Sequence, residues 1–297
     1  MGRDRPDGHL PLRAEREFRH CLGVPDRPGH RIATEVQGSP FAAGHAPQDI
    51  AVDPSGAFVY VANINSGDVS AYAIDSTSGA LAEVAGSPFL ASGSRNTGSG
   101  ARSVTIDPSG RFAYVGDSSA RAIFAYRIGP GGGLLEIEGS PLAGSAQFTS
   151  VAVEPSGRFA YATDSARRLS VYRRDGATGA LTFVEEALTG IQPNAVEIDP
   201  TGRFAYVANY GPGNVSAYAI DPTSGALAAT GTAPTASNPR SIAIEASGRF
   251  AYVANQVPGN VSIYEVDGAT GALAEIAGSP VAAGAAPRFV ATTGSIE

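Results

Sequence analysis

Three arginines, Arg102, Arg240 and Arg288, each open a short apolar segment at the same place in a recurring pattern. Brought together, three guanidinium groups would grip a carboxylate or phosphate through bidentate hydrogen bonds. Gln48, Thr149 and Asn194 hold that place in the other copies, and Gln48 and Asn194 would add neutral hydrogen bonds. A second polar series, Asn63, Asp117, Asp164, Asn209 and Asn255, closes the segments that follow. Its two acids, Asp117 and Asp164, are the ionisable members of that series. Neither series contains a histidine, and His45 alone lies in a loop near them. The residues leave two readings open, an anion-binding site or polar groups that satisfy their own loop backbone.

The elements that must position these groups come from a repeat. Its turn acids Asp53, Asp107, Glu154, Asp199 and Glu245 are spaced by 54, 47, 45 and 46 residues. A fixed period of this size marks an architecture in which no unit buries its own apolar surface. In the fourth copy, Ala195–Asp199 is a short apolar run and Asp-Pro-Thr-Gly supplies a type I turn. Arg203–Asn209, Val215–Ile220 and a shorter Ala226–Thr230 follow as strands, giving a four-stranded antiparallel meander. Sheets of this kind recurring every 40 to 50 residues predict an all-β propeller. Ten of the 11 tyrosines fall at two repeat positions, Tyr206 and Tyr218 in the fourth copy. With Phe204 and its counterparts they read as packing between blades. The acids of the Asp-Pro-x-Gly turns are assigned to turn formation, and Arg111, Arg158, Arg203 and Arg249, just after those turns, to solvent.

The Tyr-Val-Ala-Asn at Tyr60–Asn63, Tyr206–Asn209 and Tyr252–Asn255, each followed by a loop and Val-Ser-x-Tyr, resembles the YVTN-type propeller repeat. Together with the Asp-Pro-x-Gly turn and the Gly-Ser-Pro segments, it resembles the β-propeller lactonase family over residues 34–297. The resemblance implies a seven-bladed parent fold and a 6-phosphogluconolactonase-like hydrolysis of a sugar-type lactone. On that reading Arg102, Arg240, Arg288, Asn194, Gln48, Asn209 and Asn255 bind the substrate, and Asp117 and Asp164 are catalytic. Where the family often places histidines, at the inner-strand starts, this chain has none. Alternatives are a non-catalytic ligand- or protein-binding scaffold and a frame-damaged, inactive fragment.

Five complete blades are expected, with a fourth strand near Thr34–Phe41 and a first strand near Pro287–Gly294 left over. Such an arc would expose blade edges and invite self-association. Residues 1–33 form a separate non-repeat segment; residues 1–31 hold seven of the 21 arginines, three of the four histidines and Cys21. Composition alone favours a disordered tail; shifted by one base, the codons permit a further copy of the repeat, so the segment is expected to be either disordered or out of frame. The segment has no apolar core of a signal peptide, so the chain as written is cytoplasmic, or exported if a signal lies upstream. The net charge of −7 argues against nucleic acid as a partner, and no apolar run is long enough to span a bilayer. One cysteine and no metal-ligand cluster predict neither a metal nor a cofactor. Ser92–Gly100, an insert between the first two repeats, is expected to overhang the arginine-bearing face, either as a lid or as a plain surface loop.

Overall fold

The computed structural model describes residue 36, residues 38–91 and residues 100–292. The non-repeat segment and all of the expected lid except Gly100 lie outside the described residues. Among the described residues every regular element is a β-strand, gathered into five antiparallel sheets in chain order. From the channel outward, blade 1 runs Pro47–Val52, Phe58–Asn63, Asp68–Ile74, then Leu81–Glu83 with Phe89–Leu90. Blade 2 runs Ala101–Ile106, Phe112–Asp117, Ala122–Ile128, then Leu134–Glu136 with Leu142–Ala143. Blade 3 comprises Phe148–Val153, Phe159–Asp164, Arg168–Arg174 and Leu181–Leu188, and blade 4 Pro193–Ile198, Phe204–Asn209, Asn214–Ile220 and Leu227–Pro234. Blade 5 comprises Pro239–Ile244, Phe250–Asn255, Asn260–Val266, then Leu273–Glu275 with Val281–Ala282.

The outer strand of blade 4 runs further than the expected Ala226–Thr230, reaching Pro234. In blades 1, 2 and 5 a Gly-Ser-Pro breaks this strand in two, and blades 3 and 4 lack the break. Where the ladder is broken, a serine hydroxyl replaces the lost acceptor: Ser87, Ser140 and Ser279 receive the N–H of Ala71, Ala125 and Ile263. The Asp-Pro-x-Gly turns are held from within. The Asp199 carbonyl accepts the Gly202 N–H at 2.9 Å, and its carboxylate accepts the Arg203 and Phe204 N–H groups at 2.7 Å each. Asp53 and Asp107 make the equivalent bonds to Phe58 and Phe112.

Blades are locked to one another by two devices at each junction, and by a third at the junctions after blades 2, 3 and 4. Tyr60, Tyr114, Tyr161 and Tyr206 donate their hydroxyls to the carbonyls of Gly132, Gly179, Gly225 and Gly271 in the next blade, at 2.7–3.0 Å. These glycines have φ between 72° and 79°, and a Cβ on any of them would lie 2.3–2.5 Å from the phenylalanine ring of the preceding blade. Only glycine meets both demands. Arg111, Arg158 and Arg203 correct the sequence expectation of simple solvation. They stay exposed but lie across the Phe112, Phe159 and Phe204 rings at 5.1–5.6 Å. Each also donates to turn carbonyls of the next blade: Arg111 to Gly176 and Ala177, Arg158 to Pro222, Arg203 to Gly268. The long apolar stems and flat guanidinium groups explain this dual behaviour.

The stray segments at both ends continue the pattern. The third-strand tyrosines Tyr126, Tyr218 and Tyr264 donate to the preceding blade's outer strand or its end, at Leu90, Leu188 and Pro234. Tyr72 donates likewise to Ala42, which puts the chain ahead of blade 1 in a fourth-strand position. At the other end, the Val290 N–H faces Ser241 Oγ at 3.4 Å, as the Val104 N–H meets Asp49 and the Val196 N–H meets Ser150. Residues 287–292 thus follow the course of an inner strand beside blade 5 without forming a ladder.

Among the described residues one blade face is left open. Val104, Val151, Val196 and Ile242, 4–5% exposed, are sheltered by the blade before them. Ile50, their counterpart in blade 1, is 55% exposed, and Val52 beside it 54%.

Candidate functional site

Every inner strand enters the sheet through a bulge. The register skips one residue in each blade, and the skipped residues are Gln48, Arg102, Thr149, Asn194 and Arg240. A bulged residue has no ladder partner and its side chain is re-aimed, which here sends five equivalent polar side chains to the channel mouth. Two residues before the bulge, Ala46, Gln192 and Asn238 adopt left-handed backbone with φ of 55–61°. That conformation is uncommon for residues with a Cβ. Ala286, with φ 52°, stands in the same relation to Arg288, so the C-terminal segment brings a sixth member to the series.

These residues line one cavity of about 270 Å³, with Arg102, Arg240 and Arg288 all on its wall. Arg102 Nη2 donates to Asn194 Oδ1 at 2.8 Å, a bond from blade 2 to blade 4. Asn194 Nδ2 in turn donates to the Arg240 carbonyl at 2.9 Å. The Arg240 guanidinium lies over the Tyr210 ring at 4.6 Å, and its Nε donates to Gln256 Oε1 at 2.8 Å. Tyr210 is the one tyrosine outside the two repeat positions, and this stacking gives it a role. Burial holds the pKa of both Arg102 and Arg240 below the usual value; Arg240 adds to the effect on Arg102, and Arg288 to that on Arg240. Guanidinium stays charged nonetheless, and a crowded set of cations is relieved by an anion.

The cavity also holds two acids that sequence reasoning missed, Asp49 and Glu197. Burial raises Asp49 to about 7, against hydrogen bonds from the Val104 and Ile50 N–H groups. Burial first, and then the Asp49 charge, raises Glu197 to about 8. Glu197 lies three residues along the strand from Asn194, roughly 10 Å deeper at strand rise. Such carboxyls titrate where a general acid or base is useful. The available signal was that Glu197 stands where the other copies have Ala or Thr, at Ala51, Thr105, Ala152 and Ala243.

The second polar series does not reach this cavity. Asp117 accepts the Ser119 and Ala120 N–H groups, and burial raises its pKa. Asp164 accepts the Ala166 N–H and pairs with Arg168 at 2.7 Å. Asn209 donates to Asn214 and Ser216, and Asn255 to Asn260 and Ser262. All four fasten the loop between second and third strands, because a strand end offers backbone donors and a neighbouring strand within reach. His45 is exposed, its N–H bonded to Ser66. Among the described residues no group of His, Cys, Asp and Glu is arranged to hold a metal.

The sequence matches the lactonase family, described as a 7-bladed beta-propeller, over residues 33–95, 87–197 and 188–290. The chain belongs to that family. The lactonase description names seven blades, and five lie among the residues described here. A curated 6-phosphogluconolactonase from Pectobacterium carotovorum is 30% identical over 97 residues, which is 33% of this chain and 29% of that protein. The match therefore spans less than a third of the relative's length. A protein of known structure from Lactobacillus plantarum has a TM-score of 0.71 at 23% identity, covering 82% of this chain and 73% of its own. The periplasmic gluconolactonase of Pseudomonas aeruginosa has a TM-score of 0.67 at 24% identity, covering 81% and 71%. At such identities the likeness concerns the fold.

Proposed function

We propose that this lactonase-family propeller opens a sugar-type lactone carrying an anionic group inside its central channel. The observation that carries the reading is the meeting of three arginines and two near-neutral carboxyls in one cavity. Arg102, Arg240 and Arg288 hold the anionic group and the developing oxyanion, while Asn194 and Gln48 hydrogen-bond sugar hydroxyls. Ionised Glu197 takes a proton from water as the water oxygen adds to the lactone carbonyl carbon. The ring C–O bond then breaks, the ring oxygen takes up a proton, and a hydroxy acid leaves. Asp117, Asp164, Asn209 and Asn255 support the surrounding loops in this scheme, each being bonded to its own loop or to the strand that follows. Two of the relatives, a 6-phosphogluconolactonase and a gluconolactonase, agree with the substrate class.

The test is hydrolysis of δ-gluconolactone and its 6-phosphate against buffer. The phosphorylated lactone is expected to react faster. Arg240→Ala should raise KM for it about tenfold, one lost charge-assisted contact. Glu197→Gln should lower kcat by about 10²–10⁴, the usual worth of a general base. The wild-type rate should rise with pH through about 8, because the ionised form of Glu197 is the active one. Hydrolysis no faster than buffer would end the proposal. Saturable binding of 6-phosphogluconate without turnover would assign the cavity to a non-catalytic binding propeller. The Arg102–Asn194 bond favours that second reading, since it ties up one cation before a ligand arrives.

A further inference from the structure

We propose that the junction of blades 2 and 3, at the strand ends remote from Arg102, binds a phosphate group between Arg111 and Arg127. The inference starts from three guanidinium groups around one ring. Arg111 and Arg127 of blade 2 and Arg174 of blade 3 each lie 5.3–5.6 Å from the Phe112 centroid. Phe159 has two such neighbours, and Phe204 and Phe250 have one each. The third strands make the difference. Arg127 stands opposite Phe112 in the ladder, where blades 1, 4 and 5 have Ala73, Ala219 and Glu265. Arg174 takes a place that is Ile74, Ile128, Ile220 and Val266 in the other four blades.

These cations are incompletely answered. Arg174, its side chain 7% exposed, pairs with Asp107 at 3.4 Å and donates Nε to the Gly157 carbonyl, while its buried Nη1 has no acceptor. Both Asp107 oxygens also serve their own turn, through the N–H groups of Ser109, Arg111 and Phe112. Asp175, on the facing turn of blade 3, spends Oδ1 on the Ala177 and Thr178 N–H groups. Arg111 and Arg127 stay exposed and form no ion pair among the described residues. Instead both reach for one neutral acceptor: Nη2 of each lies 3.4 Å from the Ala177 oxygen, with Arg111 Nη1 3.5 Å from that of Gly176. These contacts are at the limit of hydrogen-bond range. At the junction of blades 4 and 5 a single arginine, Arg203, makes the corresponding bond to Gly268 at 2.9 Å. Two Nη2 atoms sharing one oxygen are no further apart than twice 3.4 Å, a gap that a tetrahedral oxyanion bridges with one oxygen on each guanidinium. A phosphate dianion has charge for both cations, and a carboxylate for one. Arg174 adds to the positive potential from beneath.

The probe is inorganic phosphate added to the full chain at low salt and about pH 7.5, where it is largely dianionic. The amide resonances of Ala177 and Thr178 report on the site, since their N–H groups belong to the turn that the two arginines reach. Saturating shifts are expected there, with affinity about tenfold lower in Arg127→Ala for one lost charge-assisted contact. Alanine is what blades 1 and 4 carry at that place, so the variant keeps its strand. Arg127→Lys should recover only part of the affinity, because lysine lacks the planar fork. Acetate should bind about tenfold more weakly than phosphate, for want of the second charge. Glycerol phosphate serves as a second ligand: binding tighter than that of inorganic phosphate would make the natural occupant a monoester, and weaker binding the free ion. Shifts that are absent, fail to saturate, survive Arg127→Ala undiminished or appear equally with acetate overturn the proposal. Shifts lost in Arg240→Ala would place the phosphate in the channel and overturn it equally.

Discussion

Blades 1 and 4 are near-copies, with FVYVAN and DVSAYAI in one and FAYVAN and NVSAYAI in the other. Their inner strands nonetheless meet opposite surroundings. Val196 and Ile198 of blade 4 are buried against Phe159, Tyr161, Leu169 and Val171 of blade 3. Ile50 and Val52 of blade 1 stand mostly in solvent. Tyr60 and Tyr206 are both fully buried, because each faces the blade after it and each has one. Burial of a repeat residue is therefore a property of the junction it belongs to rather than of its own strand. The same contrast runs through the channel, where Glu197 of blade 4 takes the place of Ala51 in blade 1.

Substitutions can sharpen or break this contrast. The largest effect is expected at the internal junction. Phe204→Ala should cost about 3–5 kcal/mol and Ile242→Ala about 2–5 kcal/mol in denaturant unfolding, as core truncations do. Ile50→Ala, at the same repeat position in blade 1, should cost well under about 1 kcal/mol, since little burial is lost. Equal costs at Ile50 and Ile242 would remove the distinction between covered and uncovered faces.

A smaller effect is expected from the channel acid. Glu197 is raised from 4.5 to about 8 and Asp49 from 3.8 to about 7. The folded chain thus binds protons more tightly than the unfolded one. Their contribution is intact below about pH 4 and is lost as pH rises through 7 to 8. Glu197→Gln should remove part of that decline, about 1–2 kcal/mol after allowance for solvent in the channel. A stability profile unchanged by the substitution would mean that Glu197 is not held in its neutral form. The smallest effect is expected at Arg203→Ala, about 0.5–1 kcal/mol for a stacked and hydrogen-bonded arginine. Blade 1 has Ala57 at that place and forgoes the contact.

Much of the fold was legible because its signals are local. Asp199-Pro200-Thr201-Gly202 specifies its turn through bonds spanning five residues, and the tyrosine positions recur with the turns. The shape of the outer strands was less legible, since Leu227–Pro234 is long only for want of a Gly-Ser-Pro. In the site, Arg102, Arg240 and Arg288 were visible as a series because a bulge recurs at one repeat position. Asp117 and Asp164 looked equally chemical. Their strand ends sit among backbone donors of a loop, and no spacing in the sequence distinguishes a carboxylate spent there from one facing a cavity. Glu197 was passed over because blade strands are buried on both faces and do not alternate cleanly.

By itself the sequence determined the repeating unit, its turns, the order of its strands and the aromatic residues that would meet the next unit. These follow from backbone preferences and hydrogen bonds within about 50 residues of chain. Only the tertiary structure decided which unit lacks a neighbour, which polar side chains share the channel, and that Asp49 and Glu197 titrate near neutrality. Each of those depends on groups from different blades, as far apart in sequence as Arg102 and Asn194. Desolvation and charge coupling act through space, so they exist only once the blades have assembled side by side along the channel.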